Sequence, residues 1–129
     1  MDWSLTLDEE NGALRVVASG PVALVDVTAV THAIVEHPAW RPGQHVLADY
    51  RETDHAHLGG LEVKQLARAM RDFAESLGEG RCALLVNGLL MYGLARMWAA
   101  YAELHFGMRV RVFREEAEAK ARRWLMTPS

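Results

Sequence analysis

The chain has 129 residues, of which half are hydrophobic and 24% are charged, and its formal net charge is −3. These values predict one folded domain over residues 1–129 and exclude extensive disorder. The slightly acidic balance argues against nucleic acid as a partner, because phosphate binding needs clustered Lys and Arg.

The chain carries no recognisable targeting or membrane signal. It does not open with a basic region followed by an apolar stretch. The longest apolar segment, 89–104, is shorter than a bilayer span and contains Arg96 and Glu103. We therefore expect a soluble cytoplasmic protein without membrane insertion.

The first elements are predicted to be a β-hairpin and a helix. Apolar and polar residues alternate over 3–7 and over 14–18, on either side of an Asn-Gly turn. After Gly20-Pro21 the apolar residues take helical spacing, and Asp26 or Thr28 is expected to cap the start of this helix. Pro38 should end it.

Two short apolar runs, 45–50 and 81–86, predict the third and fourth strands, with an amphipathic helix over 63–77 between them. The second run is apolar throughout after its first residue, as is typical of a parallel strand covered on both faces. It contains the lone cysteine, Cys82, which excludes an intramolecular disulfide and a Cys-rich zinc site and should be buried.

The last elements are predicted to be an apolar helix over 89–104, an edge strand over 108–112 and a charged helix over 115–125. The order is therefore β-β-α-β-α-β-α-β-α. This order is typical of an α/β domain with a five-stranded sheet, parallel apart from its first strand and flanked by helices.

The helix over 89–104 has more apolar surface than one sheet face can cover. One stripe is expected to seat it on the sheet: Leu90, Leu94, Met97, Tyr101 and Leu104. The remaining large and small apolar residues are then predicted to form a homodimer interface: Met91, Ala95, Trp98 and Ala102. The alternative is that neighbouring elements, such as Phe113 and Trp124, cover this second stripe within the monomer.

Several stretches together resemble the SpoIIAA-like proteins, a bacterial group with the STAS-type fold of anti-sigma factor antagonists. They are 37–43 (HPAWRPG), 47–51 (LADYR), 91–97 (MYGLARM) and 110–114 (VRVFR), followed by Ala117, Trp124 and Leu125. The resemblance spans nearly the whole chain and implies a single STAS-like domain. Most such proteins have no assigned activity, so it implies no reaction.

The resemblance also implies a comparison with the phosphorylated serine of the true antagonists, which follows an aspartate after the third strand. Here that region, 53–60, reads TDHAHLGG and contains no serine, and Thr53 precedes Asp54 instead of following it. We therefore expect no switch of the antagonist type.

Ligands of parallel sheets bind at the carboxyl ends of the strands, and this edge supplies the candidate binding residues. They are Asp49, Arg51, Asp54, His55, His57, Asn87 and Arg114. The two arginines, with free N–H groups at the helix that follows Asn87, could hold a small anionic ligand. The alternative is that the polar groups bond to loop backbone and the arginines are solvated.

Asp54, His55 and His57 have the residue types of a metal site, but no motif supplies a third ligand, and exposed loop histidines are the alternative. No G-x-S-x-G, G-x-G-x-x-G or P-loop motif occurs, and no cofactor is predicted.

The sequence therefore favours a non-catalytic protein-interaction or small-ligand-binding module. The alternative is a small enzyme or metal-binding protein that uses Asp49, Asp54, His55 and His57.

Overall fold

A computed structural model describes residues 1–128 as an α/β fold with one five-stranded sheet. The strands are β1 (Asp2–Leu7), β2 (Leu14–Pro21), β3 (Val46–Asp54), β4 (Arg81–Leu85) and β5 (Arg109–Phe113). The helices are α1 (Leu24–Glu36), α2 (Gly60–Ala69), α3 (Ala74–Leu77), α4 (Leu89–His105) and α5 (Glu118–Met126), with a 3₁₀ turn at Met70–Phe73. The predicted fold class and order of elements are confirmed.

The strands lie in the sheet in the order in which they occur in the chain. β1 pairs antiparallel with β2, and all other neighbours are parallel. The crossovers from β2 to β3, β3 to β4 and β4 to β5 are right-handed and all lead to the next strand in the same direction across the sheet. Their helices α1, α2 and α4 therefore lie on the same face of the sheet. The opposite face is covered by α5.

Each face has its own apolar core. The larger core packs Val16, Ala48 and Leu84 under α1, α2 and α4. The smaller one packs Leu47 and Leu85 against Leu125 of α5. Adjacent strand residues point to opposite faces, which is why Ala48 and Leu47 belong to different cores.

Helix α1 begins earlier than predicted. Its N-terminal cap is Ala23, and Asp26 lies in the first turn, where its Oδ2 accepts a hydrogen bond from the Ala23 backbone N–H at 3.1 Å. Thr28 lies further inside, and its hydroxyl donates to the carbonyl oxygens of Leu24 and Val25. The predicted cap at Asp26 or Thr28 is therefore wrong. A carboxylate at the third helical position can satisfy the cap's own N–H just as well.

The predicted helix over 63–77 is divided into α2, the 3₁₀ turn and the single turn α3. The Nε1 atom of Trp40 donates to the Ser76 carbonyl oxygen at 2.9 Å, and the Gly43 N–H donates to that of Leu77 at 2.9 Å. Gly78 ends this segment with a φ of +75°, and a Cβ there would lie 2.4 Å from the Gly43 nitrogen. Only glycine fits this close approach.

The predicted orientation of α4 is wrong. Met91, Ala95 and Ala102 are buried in the monomer and Trp98 is half-buried, so these residues cannot form the predicted homodimer interface. Leu90 and Leu104, expected to face the sheet, are 68% and 77% exposed. The small side chains let α4 pack closely on α2 and β5, whereas the larger leucines would hold it away. No helix within residues 1–128 has the length and apolarity needed to cross a bilayer.

Candidate functional site

Asp49 and Arg51, both predicted binding residues, form a bidentate ion pair on the face of the sheet that α5 covers. Nε of Arg51 donates to Oδ1 of Asp49 at 2.9 Å, and Nη2 donates to Oδ2 at 2.7 Å. The same guanidinium donates to Oε1 of Glu118 at 2.7 Å and to the Glu115 carbonyl oxygen at 3.2 Å. Arg15 of β2 also donates to Asp49 and Glu118. Hydrogen bonds thus link the Asp49–Arg51 pair to α5.

The electrostatics of this cluster favour the charged forms. Burial of Asp49 opposes ionisation, but hydrogen bonds from Arg51 and the charges of Arg51 and Arg15 hold its pKa below the usual value of 3.8. Burial likewise opposes ionisation of Glu118, and hydrogen bonds from Arg122, Arg15 and Arg51 lower its pKa overall. The hydrogen bond to Asp49 raises the pKa of Arg51. Asp49, Arg51 and Glu118 are therefore charged at neutral pH.

The network continues along α5 to the hairpin. Nε of Arg122 donates to Oε2 of Glu118 at 3.1 Å, and its Nη1 donates to Asp8 between β1 and β2. At the far end of α5, the buried Arg81 of β4 donates to the Trp124 carbonyl oxygen and lies over the Trp124 ring. These contacts fasten both ends of α5 to the sheet.

Arg114 and Asn87 follow β5 and β4 at the predicted edge. The Arg114 guanidinium pairs with the Glu115 carboxylate at 3.3 Å and lies 5.5 Å from the centre of the Tyr92 ring. The hydrogen bond to its own backbone N–H, together with Arg114 and the Gly88 N–H, lowers the pKa of Glu115. The Glu115 carboxylate therefore interacts with the N–H of Gly88, the residue before α4. Asn87 is exposed.

These pairings bear on the predicted anion site. Arg51 and Arg114 both contact Glu115, so they do lie near each other, but each already pairs with a carboxylate. The anion site stays a prediction, and a ligand there would have to compete with Asp49, Glu115 and Glu118.

Asp54 is the last residue of β3, and His55 and His57 lie in the loop between β3 and α2. Oδ1 of Asp54 accepts a hydrogen bond from the Ala56 N–H at 3.0 Å, which makes a local turn. His55 is half-buried and His57 is exposed. Among residues 1–128, no three His, Cys, Asp or Glu side chains are grouped so that they could hold a metal ion. The loop thus provides no preformed metal site.

A chamber that the sequence did not indicate lies in the larger core. It occupies the space between the sheet and helices α1, α2 and α4 and has a volume of about 110 Å³. We call it the core chamber. Its walls are formed by these residues: Val16, Val22, Val27, Val30, Thr31, Ile34, Val46, Ala48, Tyr50, Leu58, Val63, Leu66, Met70, Leu77, Cys82, Leu84, Val86, Met91, Leu94, Ala95, Trp98, Phe106 and Met108.

A few residues that line the core chamber are partly exposed at the molecular surface. Almost all of its lining residues are buried, and the partly exposed ones are Val27 of α1, Leu58 of the loop before α2, and Leu94 and Trp98 of α4. The loop that contains the two predicted histidines therefore contributes an apolar residue to the chamber.

The chamber contains no Asp, Glu, Lys, Arg or His side chain, and its few polar groups are neutral. Burial raises the pKa of the Cys82 thiol to about 12. Burial, followed by the proximity of Cys82 and Asp26, raises the pKa of Tyr50. The Thr31 hydroxyl lies 2.9 Å from the Val27 carbonyl oxygen and 3.3 Å from the Met70 sulfur. The chamber is therefore an apolar, uncharged space.

Comparison with known proteins separates sequence similarity from similarity of fold. No family model and no curated protein matches the chain. A crystal structure of an uncharacterized DUF3478-family protein from Shewanella loihica PV-4, described as having a SpoIIAA-like fold, superposes with a TM-score of 0.59. The match covers 96% of this chain and 92% of that chain at 16% identity. The chain has a SpoIIAA-like fold.

Within this SpoIIAA-like fold, Thr53 is the hydroxyl residue closest in sequence to the position of the antagonists' phosphorylated serine. It lies near the end of β3, and its hydroxyl donates to the Tyr50 carbonyl oxygen at 2.7 Å. The absence of an antagonist-type switch stays a prediction.

The sequence did not reveal the residues that line the core chamber, because each of them has the pattern of an ordinary core residue. A weak signal is present in their sizes. Central positions of the larger core are occupied by small or β-branched residues, such as Val16, Val30, Ala48 and Ala95. Such residues leave unfilled volume wherever no larger side chain faces them.

Proposed function

We propose that this protein is a non-catalytic binding module that holds a small apolar molecule in the core chamber. The observation that carries the proposal is an uncharged chamber of about 110 Å³ in the larger apolar core. For comparison, an engineered apolar cavity of about 150 Å³ stays dry and binds benzene. A molecule of that size and polarity matches this chamber.

The chemistry of the lining supports a binding role over a catalytic one. General acids, bases and nucleophiles work best with pKa values near the pH at which they act. The Cys82 thiol and the Tyr50 hydroxyl stay protonated at neutral pH, because burial raises both pKa values. The ionisable residues of the alternative, enzymatic function lie outside the chamber.

Filling the chamber is expected to abolish binding. In the Ala95→Leu variant, the longer side chain would extend from α4 into the chamber. We expect benzene to cause saturable NMR shifts in the wild type and none in this variant. The matched control is Ala29→Leu, the same change at an exposed position of α1. Benzene should bind this control as it binds the wild type. Absence of saturable benzene binding to the folded wild type would contradict the proposal.

A second proposal concerns self-association through the outward face of α4. Leu90, Met97 and Leu104 are exposed and recur every seven residues, with the small Gly93 and Ala100 between them, also exposed. In an antiparallel pair of α4 helices centred on Met97, Leu90 of one copy meets Leu104 of the other. Because this pattern is self-complementary and the small residues allow close approach, a second copy of the chain fits it.

Sedimentation measurements test this interface. We expect wild-type dimers at micromolar concentration and monomers of Met97→Glu, because a dimer would place two buried carboxylates face to face. Val25→Glu introduces the same charge at an exposed apolar position of α1 and should leave the dimer intact. A monomeric wild type, or a Met97→Glu variant that still dimerises, would refute this proposal.

A further inference from the structure

Trp98 lines the core chamber and carries a polar group without a partner among the described residues. Its indole Nε1 atom is buried and has no hydrogen-bond acceptor anywhere in the described residues 1–128. The ring itself packs against Phe106 at 6.0 Å between centroids and lines the chamber. A buried indole N–H normally finds a partner, because leaving it unpaired forfeits the hydrogen bond it makes with water.

The other polar groups of the chamber do not supply this acceptor. The Thr31 hydroxyl faces the Val27 carbonyl oxygen and the Met70 sulfur. Cys82 remains a thiol, and its sulfur is a weak acceptor. Neither group therefore offers a free, strong acceptor to the indole N–H, and a bound molecule can supply one.

We propose that the ligand of the core chamber is a neutral apolar molecule with one hydrogen-bond acceptor, such as a ketone, ester or ether oxygen, which accepts the Trp98 indole N–H. This inference rests on the proposed binding function and specifies the class of ligand. The molecule is neutral because the chamber has no cation to compensate an anion and no carboxylate to compensate a cation. It has one acceptor because Trp98 offers one unpaired donor.

A pair of probes with the same shape tests the inference. Cyclohexanone and methylenecyclohexane differ in that an oxygen replaces a CH₂ group, so both should fit the same space. Their affinities for the wild type and for Trp98→Phe form a double-mutant cycle. This cycle cancels the different hydration of the two probes and the extra space left by the smaller ring. We expect Trp98→Phe to weaken the binding of cyclohexanone about tenfold more than the binding of methylenecyclohexane.

The wild type alone provides a second readout, which keeps the test valid if Trp98→Phe does not fold. The Trp98 indole N–H resonance should move downfield on saturation with cyclohexanone and should not do so with methylenecyclohexane. Tyr50→Phe serves as a control, because Tyr50 is another donor at the chamber wall.

The outcomes separate this inference from the proposed function. If both probes bind but the cycle shows no coupling and the indole resonance does not move downfield with the ketone, the inference is overturned and the binding function stands. Coupling that appears with Tyr50→Phe instead of Trp98→Phe also overturns it. If neither probe binds, the binding function and the inference both fail. Saturable binding of cyclohexanecarboxylate would overturn the requirement for a neutral ligand.

Discussion

Arg51→Ala is expected to lower the free energy of unfolding by about 2 to 3 kcal/mol, because it leaves the Asp49 carboxylate buried without its bidentate partner. The Asp49 side chain is 10% exposed and that of Arg51 is 26% exposed, so solvent reduces the loss below that of a fully buried pair. The Arg15 guanidinium and the backbone N–H of residue 51 still donate to Asp49, each at 3.2 Å. Urea denaturation of the variant beside the wild type measures the difference.

Two further variants serve as controls for Arg51→Ala. Arg114→Ala removes an arginine that pairs with the more exposed Glu115, and it should lower the free energy of unfolding much less than Arg51→Ala does. Adding Asp49→Asn to Arg51→Ala removes the unpaired charge and should recover part of the lost stability. If Arg51→Ala costs no more than Arg114→Ala, the pair does not hold α5 as described.

The same change should alter the response to acid. The pKa of Asp49 is lowered in the folded protein, so its contribution to stability is present above its unfolded pKa, near 3.8, and is lost as pH falls through the folded pKa. Arg51→Ala should therefore make the loss of stability below about pH 4 less steep. Asp8 and Glu118 keep their lowered pKa values through Arg122, so some acid sensitivity should remain.

Leu85→Ala is expected to lower the free energy of unfolding by about 3 to 4 kcal/mol. Leu84→Ala, at the preceding residue of the same strand, should lower it by about 2 kcal/mol. Leu85 is 0% exposed and closely packed under α5, so its removal leaves a new cavity. Leu84 already borders the core chamber, so fewer contacts are lost when it is shortened. Thermal and urea unfolding of both variants provide the comparison.

The paired leucines also test whether the chamber persists in solution. Leu84→Ala should enlarge it and still bind benzene, and Leu85→Ala should leave its volume unchanged. Equal losses of stability in the two variants would indicate that both faces of β4 are packed alike, which contradicts an unfilled chamber on one side.

The elements were predictable because periodicity is a local property of the sequence. The alternation over 3–7 and the apolar run over 81–86 identify β1 and β4 correctly, and Cys82 is buried as expected. The facing of α4 was not predictable in this way, because apolar residues lie on both sides of the helix. The size of the side chains separates the two faces of α4, since Ala95 and Ala102 face the core and the larger Leu90 and Leu104 face outward.

The candidate binding residues show a different limit of sequence reasoning. Asp49 and Arg51 alternate with buried residues near the end of β3, so their closeness to each other could be expected. Their partner Glu118 lies far along the chain and meets them only because α5 returns over the opposite face of the sheet. The core chamber is harder still to foresee, because an unfilled volume depends on how all the surrounding side chains fit together.

The identity of strand order and sequence order has a consequence for how the chain folds. No strand has to be inserted between two strands that have already paired, since each new one adds at a free edge. The β-hairpin can therefore serve as a template on which three strand-helix units assemble in succession, each closing a loop of similar length. When strands are added one after another at the free edge, a late strand that fails to pair leaves the register of the earlier strands unchanged.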